Sequence, residues 1–429
     1  ASLTQHGMSA VPTSKQLLYK FIIRQLHDDG FIEAANSLSK LSSIRIDTNL
    51  KLDFLSELVE IAQTGKTSAS AQASVVNGVS SSTKPDDVKM NRTMDLDEPE
   101  EEPFAKYQTK FITTHKDVCR VGVFSRDGTL AATGSGDMSI KLLDVSKMHY
   151  HSQAKHSGEW GDDYAALKPV LRTFYDHLGP INDLDFHPTA TLLASCSKDN
   201  SIKFFDHEKL LVKRSYKHIV EPFNIRTIQF HPTGDYLISG GDNPYIRLFN
   251  VNTFQAFISR DIDKQHIKPI NQVRFSTDGK FYASCSVDGT IKFWDGVTNS
   301  CIRTIGNAHS GEQVSSIQFS PDSKFLLSGG RDSAAKIWDV STGLEILNFV
   351  GCRHLNYRLQ TVYAPDDIHV LSCDERNFSV VAWDRRTGEK VREFAGHNKV
   401  VHWISVSPAE QAFISCSGDF RARFWAEEI

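Results

Sequence analysis

Long apolar runs, paired cysteines and catalytic signatures are all missing from this sequence. Its apolar stretches are short and broken by polar residues, so no membrane-spanning helix is expected. No charged, apolar and small-residue succession of a secretory signal opens the chain. Residues 1–7 precede the first methionine, Met8. Seven cysteines are scattered from Cys119 to Cys416 without a Cys-x-x-Cys pair, which argues against a zinc cluster or a disulfide framework and for a reducing compartment. His-Glu-x-x-His, a calcium loop and a nucleophile elbow are absent. Gly65-Lys66-Thr67 matches the end of a phosphate loop, but Glu60 stands where the first glycine is needed. The tripeptide also falls at the exit of a helix suggested by Leu52, Leu55, Leu58, Val59 and Ala62, where such a loop requires a helix entrance. The expectation is a protein that is not an enzyme and needs no cofactor or metal.

A strong charge bias is missing too. The net charge is −4, with 10 Lys+Arg against 15 Asp+Glu in residues 1–104 and 38 against 37 in the remainder. A body so near neutrality has no global field to draw in nucleic acid, so any RNA contact would be local, indirect or auxiliary.

What is present is a repeat. Units after residue 110 end at Leu143-Asp144, Phe205-Asp206, Phe249-Asn250, Trp294-Asp295, Trp338-Asp339, Trp383-Asp384 and Trp425, at spacings of 62, 44, 45, 44, 45 and 42. The single long gap marks an insertion. An aspartate lies six residues before the aromatic or Leu143: Asp137, Asp199, Asp288, Asp332 and Asp419. A hydroxyl lies four before that: Thr133, Ser195, Ser284, Ser328 and Ser415. A histidine lies 22 or 23 before the aspartate: His115, His177, His266, His309 and His397. Cys196, Cys285 and Cys416 share the phrase Ser-Cys-Ser, which reads as small buried strand residues rather than reactive thiols.

This pattern resembles the WD-repeat family over residues 107–425. The resemblance implies that histidine and aspartate share a hydrogen bond which the hydroxyl and the indole of Trp294, Trp338 or Trp425 extend. One His–Asp–Ser set would invite a hydrolase reading; the same set in unit after unit reads as structural struts. Leu143 and Phe205 cannot supply the indole donor. The third unit has Asn243 in the aspartate position with His218 25 residues back, and the sixth has His354, Cys373 and Asn377. Those two units are expected to be the least tightly pinned.

Alternating runs between Asp-Gly and His-Pro-Thr-Gly turns read as four strands per unit, each buried only against its neighbours. Tyr107–Thr114 is strand-like and is expected to complete the last unit, closing the ring and removing its edge. The predicted fold is therefore an all-β seven-bladed WD-repeat propeller over residues 105–429, with a small all-α N-terminal dimerisation domain.

Leu17, Leu18, Phe21, Ile22 and Leu26 share one helix face between Ser14 and Gly30, and Phe31, Ile32, Ala35, Leu38 and Leu41 continue as a second helix. The pair resembles a LisH-type hairpin. A unit of ~50 residues buries too little surface to be comfortable alone, which favours a homodimer over a monomeric bundle for residues 8–63. Residues 64–104, ending Asp95-Leu-Asp-Glu-Pro-Glu-Glu-Glu-Pro103 and Phe104, read as a flexible acidic linker.

In the WD-repeat family partners bind the face carrying the loops into each blade and the tight turns. There this chain would place Lys198, Arg331, Arg353, Tyr357, Arg358 and Arg376; the alternative is an ordinary solvated surface. The insertion Met148–Pro169, with Trp160 and Tyr164, is a second candidate. The helical opening Leu17-Leu-Tyr-Lys-Phe-Ile-Ile-Arg-Gln-Leu-His-Asp-Asp-Gly-Phe31, the linker and the repeats combine with Phe293-Trp-Asp-Gly-Val-Thr-Asn-Ser-Cys-Ile302 and Asp419-Phe-Arg-Ala-Arg-Phe-Trp425. Together they are similar to the WD-repeat subunits of cleavage stimulation factors. That resemblance implies pre-mRNA 3′-end cleavage and polyadenylation, nuclear location and a homodimer. It also implies a half-a-TPR scaffold partner with other 3′-end processing factors, and no membrane. LisH with WD repeats also occurs in ubiquitin-ligase substrate receptors and chromatin corepressors, the competing reading.

Overall fold

A computed structural model describes residues 104–157, 168–209, 212–259 and 261–427. The expected helices at 8–63 with their dimer face, the linker up to Pro103, and Trp160 and Tyr164 of the insertion lie outside the described residues.

The described chain forms seven four-stranded antiparallel sheets from strands numbered β1 to β28 in chain order. The inner strands of blades one to seven are β2 (Cys119–Phe124), β6 (Ile181–Phe186), β10 (Ile225–Phe230), β14 (Ile270–Phe275), β18 (Val314–Phe319), β22 (Thr361–Tyr363) and β26 (Val401–Val406). The second strands, such as Phe281–Ser286 and Ala412–Ser417, are almost wholly buried. Sheet packs on sheet at both of their faces, so the small Ser-Cys-Ser triplets sit where two blades approach closely. Outer strands such as Ala256–Ile258 are exposed.

Neighbouring blades are also stapled by polar side chains. Asp185 accepts the backbone N–H of Phe230 at 2.6 Å, Gln229 that of Phe275 at 2.6 Å, Gln272 that of Ile317 at 2.7 Å and Gln318 that of Tyr363 at 2.9 Å. Each bond satisfies an inner-strand donor that has no fifth strand to pair with.

The seventh blade is built from both ends of the ring. Its order is β1 (Tyr107–Thr114), β28 (Arg421–Glu427), then Ala412–Ser417 and β26, with Tyr107 opposite Glu427 and Thr114 opposite Arg421. The Tyr107 ring meets Phe413 at 5.2 Å and Phe394 at 5.7 Å, and Phe413 stacks on Trp425. Phe104 is buried in the same aromatic group, so the ring begins one residue before the boundary at 105.

The long gap in the repeat is not a plain loop. Asp144 occupies the position of Asp295 and Asp339, which cap a hairpin turn in their own blades. In the first blade its carboxylate accepts the N–H of Lys147 and so caps helix α1 (Val145–Ser157). Met148 of α1 is fully buried, His149 bonds Glu410 at 3.0 Å, and His151 lies edge-on to Phe111 of β1. The helix therefore lies against the closing blade.

Candidate functional site: the loop face and the channel mouth

The histidines that follow the outer strands are buried. His266 approaches Asp288 at 3.0 Å through Nδ1 and Ser284 at 2.7 Å through Nε2, and the Trp294 indole donates to the same Ser284 oxygen at 2.9 Å. His309–Asp332–Ser328–Trp338 and His397–Asp419–Ser415–Trp425 repeat the arrangement. His177 has Asp199 and Ser195 at 2.8 and 2.6 Å, with Phe205 in place of the indole. In blade one Ser139 bonds His115 Nδ1 at 3.1 Å while Asp137 stands back at 3.6 Å; Nε2 bonds Thr133 at 2.9 Å.

The donor inventory assigns the protons. The serine oxygen accepts the indole hydrogen and gives its own to Nε2, leaving Nδ1–H to the carboxylate. Burial lowers the basicity of His266 and His397 against the opposing pull of Asp288 and Asp419. Burial resists ionisation of Asp419, but the His397 hydrogen bond and backbone N–H groups outweigh it and hold the carboxyl at about 2. A neutral imidazole beside an ionised, fully partnered carboxylate is a strut linking the loop into a blade to its tight turn.

Blades three and six depart from the spacing. His218 lies exposed on β9 (Lys217–Val220), an outer strand. In blade three Glu221 takes the histidine's place and pairs with Arg247. Blade six carries one extra residue in its turn, so its hydroxyl is Ser372, one before Cys373, and Ser372 bonds His354 at 3.2 Å. Asn377 turns away and donates to Glu393. Glu375 replaces the aspartate and accepts the backbone N–H groups of Leu355, Asn356 and Tyr357 at 2.8–3.0 Å, so this loop is firmly pinned by a different residue. The centre of the network is left incomplete: His354 Nδ1 and Trp383 Nε1 have no hydrogen-bond partner.

That difference gives a measurable contrast. Trp338→Phe should cost about 1–2 kcal/mol, since it removes a buried hydrogen bond as well as ring volume. Trp383→Phe should cost distinctly less, because its indole N–H meets no serine oxygen and has only the weakly accepting Cys352 thiol beside it. Chemical denaturation of the two variants checks this; equal losses would show that the indole bond carries no weight.

A second ring of side chains lines the central channel at its loop-bearing end. Arg120, Asn182, Arg226, Asn271, Ser315 and His402 each lie 13 residues before their blade's hydroxyl. That regularity was available in the sequence but is masked by the variety of residue types. Arg120 donates to Asn182, Asn182 to the Ile225 carbonyl, Arg226 to Asn271, and Asn271 to the Val314 carbonyl. Deeper down, Arg274 crosses from blade four to Asp183 of blade two at 3.1 Å, with the Trp403 ring 5.8 Å away. Gln272 and Gln360 bond across at 3.0 Å.

Above this plug is a cavity of about 290 Å³ lined by Val118, Arg120, Asn182, Tyr357, Arg358, His402 and Trp403. Of the residues expected on the loop face, Lys198, Arg353, Tyr357 and Arg376 are exposed there and Arg331 is half-buried. Arg358 is different. It turns inward and reaches across the channel mouth from blade six to the Arg226 carbonyl of blade three, at 3.4 Å. It is a wall of the mouth and not an outward anchor.

The WD domain, G-beta repeat family matches residues 106–144, 168–206, 213–250, 260–295, 299–339 and 388–426; the unmatched stretch contains most of the irregular blade six. The Arabidopsis thaliana protein cleavage stimulation factor subunit 50 is 36% identical over 424 residues, covering 96% of each chain. The transcriptional corepressor LEUNIG_HOMOLOG of the same plant is 29% identical over 43% of this chain and 20% of its own length. COMPASS component SWD3 of Saccharomyces cerevisiae is 27% identical over 45% of this chain and 56% of its own. Repeats alone account for partial matches of that kind, whereas the end-to-end match takes in the N-terminal region and linker as well. The chain belongs to the WD-repeat proteins and, among them, to the family of cleavage stimulation factor subunit 50.

Proposed function

We propose that this protein is a non-catalytic scaffold subunit of a nuclear complex that cleaves and polyadenylates pre-mRNA 3′ ends. The observation that carries the reading is the 36% identity to cleavage stimulation factor subunit 50 across 96% of both chains. The His–Asp–Ser sets support the absence of turnover, because every member is buried or bonded to another member. The helical face of Leu17, Leu18, Phe21, Ile22, Leu26, Phe31, Ile32 and Leu38 is assigned to homodimerisation. The propeller's loop face is assigned to docking a half-a-TPR scaffold subunit, with RNA engaged indirectly.

Affinity purification of the full chain from nuclear extract tests the assignment. Polyadenylation factors are expected; cullin or deacetylase subunits in their place would move the protein to the substrate-receptor or corepressor class. Light scattering should give twice the chain mass for the full chain and one chain mass once residues 1–65 are removed. An unchanged mass would end the dimer assignment.

A further inference from the structure

The channel mouth combines two features whose purpose the ring's architecture does not explain. The first is an excess of cations. Arg120 and Arg358 border the cavity, yet neither makes an ion pair among the described residues; Arg358 has only the Arg226 carbonyl, at 3.4–3.5 Å, and Arg120 only Asn182, at 3.3 Å. Arg226 beside them is matched by Asp242 at the outer edge, and Asp183 below is already held by Arg274. Burial depresses the Arg358 guanidinium to about 10 against the pull of Asp183, and burial together with Arg120 drives His402 down to about 4. The neutral His402 ring therefore adds no charge; Asp117 acts on Arg120 only from beyond ion-pair distance, and neither guanidinium is matched by a carboxylate in contact.

The second feature lies on the same face, in the tight turns beside the loops into the blades. Six blades place a residue with positive φ at the same point of the tight turn, and three of them use Asn200, Gly289 and Ser333. Blades six, seven and one, which are consecutive around the ring, use Phe378 (φ 56°), Phe420 (φ 70°) and Met138 (φ 67°). Bulky side chains avoid this region, and residues held there against preference cluster at binding sites. All three are exposed, and Leu178 (84%) and Leu355 (47%) continue the apolar arc on blades two and six.

We propose that the channel mouth is a carboxylate-recognition site, taking an Asp or Glu side chain of a partner peptide between Arg120 and Arg358 while flanking aliphatic residues rest on the Phe378–Phe420–Met138 arc. A forked guanidinium suits a carboxylate bidentately. A polyanionic strand fits less well. The positive charge is concentrated at one point instead of along a track, and Asp117 and Asp242 on the same rim would repel a run of phosphates. This inference rests on the reading of the loop face as a docking surface.

The test uses the full chain and three fluorescein-labelled probes: the peptide Ser-Leu-Leu-Glu-Leu-Leu-Ser, its Gln counterpart, and a seven-nucleotide oligouridylate. Anisotropy should show the Glu peptide binding at least tenfold tighter than the Gln peptide, with the difference lost in Arg358→Met and in Arg120→Met. Phe420→Gly should weaken both peptides while leaving the fold intact, since glycine accepts that φ. Equal binding of the Glu and Gln peptides, or arginine-dependent binding of the oligouridylate alone, overturns the proposal. Melting curves of the arginine variants guard against unfolding, and Arg358→Lys, which keeps the charge, should recover part of the Glu preference. Capture of the purified scaffold subunit separates the two levels. Capture by wild type and Arg358→Met alike leaves the docking surface standing and removes the anion site; no capture by either removes the docking surface itself.

Discussion

Deleting Tyr107–Thr114 should lower the melting temperature of the entire propeller by ten degrees or more and make it aggregate. The strand pairs with β28 along its whole length, and its removal leaves β28 as an exposed edge beside a depleted aromatic cluster. Burying Tyr107 alone is worth about 1.5–3 kcal/mol on the scale of large core side chains, to which the lost ladder and the contact with α1 add. Because every blade is supported by two neighbours, opening one joint loosens both blades that flank it and the damage spreads around the ring. Differential scanning calorimetry of the full chain with and without the strand is the measurement. A melting curve unaffected by the deletion would mean that β1 decorates the ring and does not close it.

The second large effect belongs to the channel. Arg274→Met should destabilise the propeller by about 3–5 kcal/mol, because it strips a fully buried Asp183 of the one ion pair it makes among the described residues. Asp183 would retain the Thr227 hydroxyl and the Ile228 N–H, but these cannot replace a guanidinium that donates at 3.1 Å through two nitrogens. The double variant Asp183→Leu/Arg274→Met should cost much less than the sum of the single changes, since neither charge is then buried alone. Denaturant titrations of the four proteins form the cycle. Additive losses would show that the two groups are solvated independently and that the channel is wet at this level.

The parts of this fold written in the sequence are those that recur. The His–Asp–hydroxyl spacing fell on residues that bond one another in blades two, four, five and seven, while in blade one Ser139 comes between His115 and Asp137; the orphaned strand before the first repeat pointed to ring closure. What escaped is what breaks the period or hides within it. One extra residue in the blade-six turn moved the hydroxyl from Cys373 to Ser372 and let Glu375 take over from Asn377. An outer-strand histidine, His218, stood in for a network member that is in fact Glu221. The channel ring kept its spacing but changed chemistry at every step, from Arg120 to Asn182 to His402, so identity matching could not find it. Arg358 falls on the expected loop face, but a loop position says nothing about which way a long side chain runs, and this one runs into the channel mouth. The helix α1 came from an aspartate that caps a hairpin turn in blades four, five and six, turning here into a helix instead.

Closure by β1 also sets a schedule for biosynthesis. Tyr107 emerges from the ribosome about 320 residues before its partner Glu427, an interval on the order of 15–60 s at ordinary elongation rates. Until then the first strand has an apolar face and no mate, while six blades are already in hand. The nascent protein is an open horseshoe with two sticky ends until β28 is made and locks it.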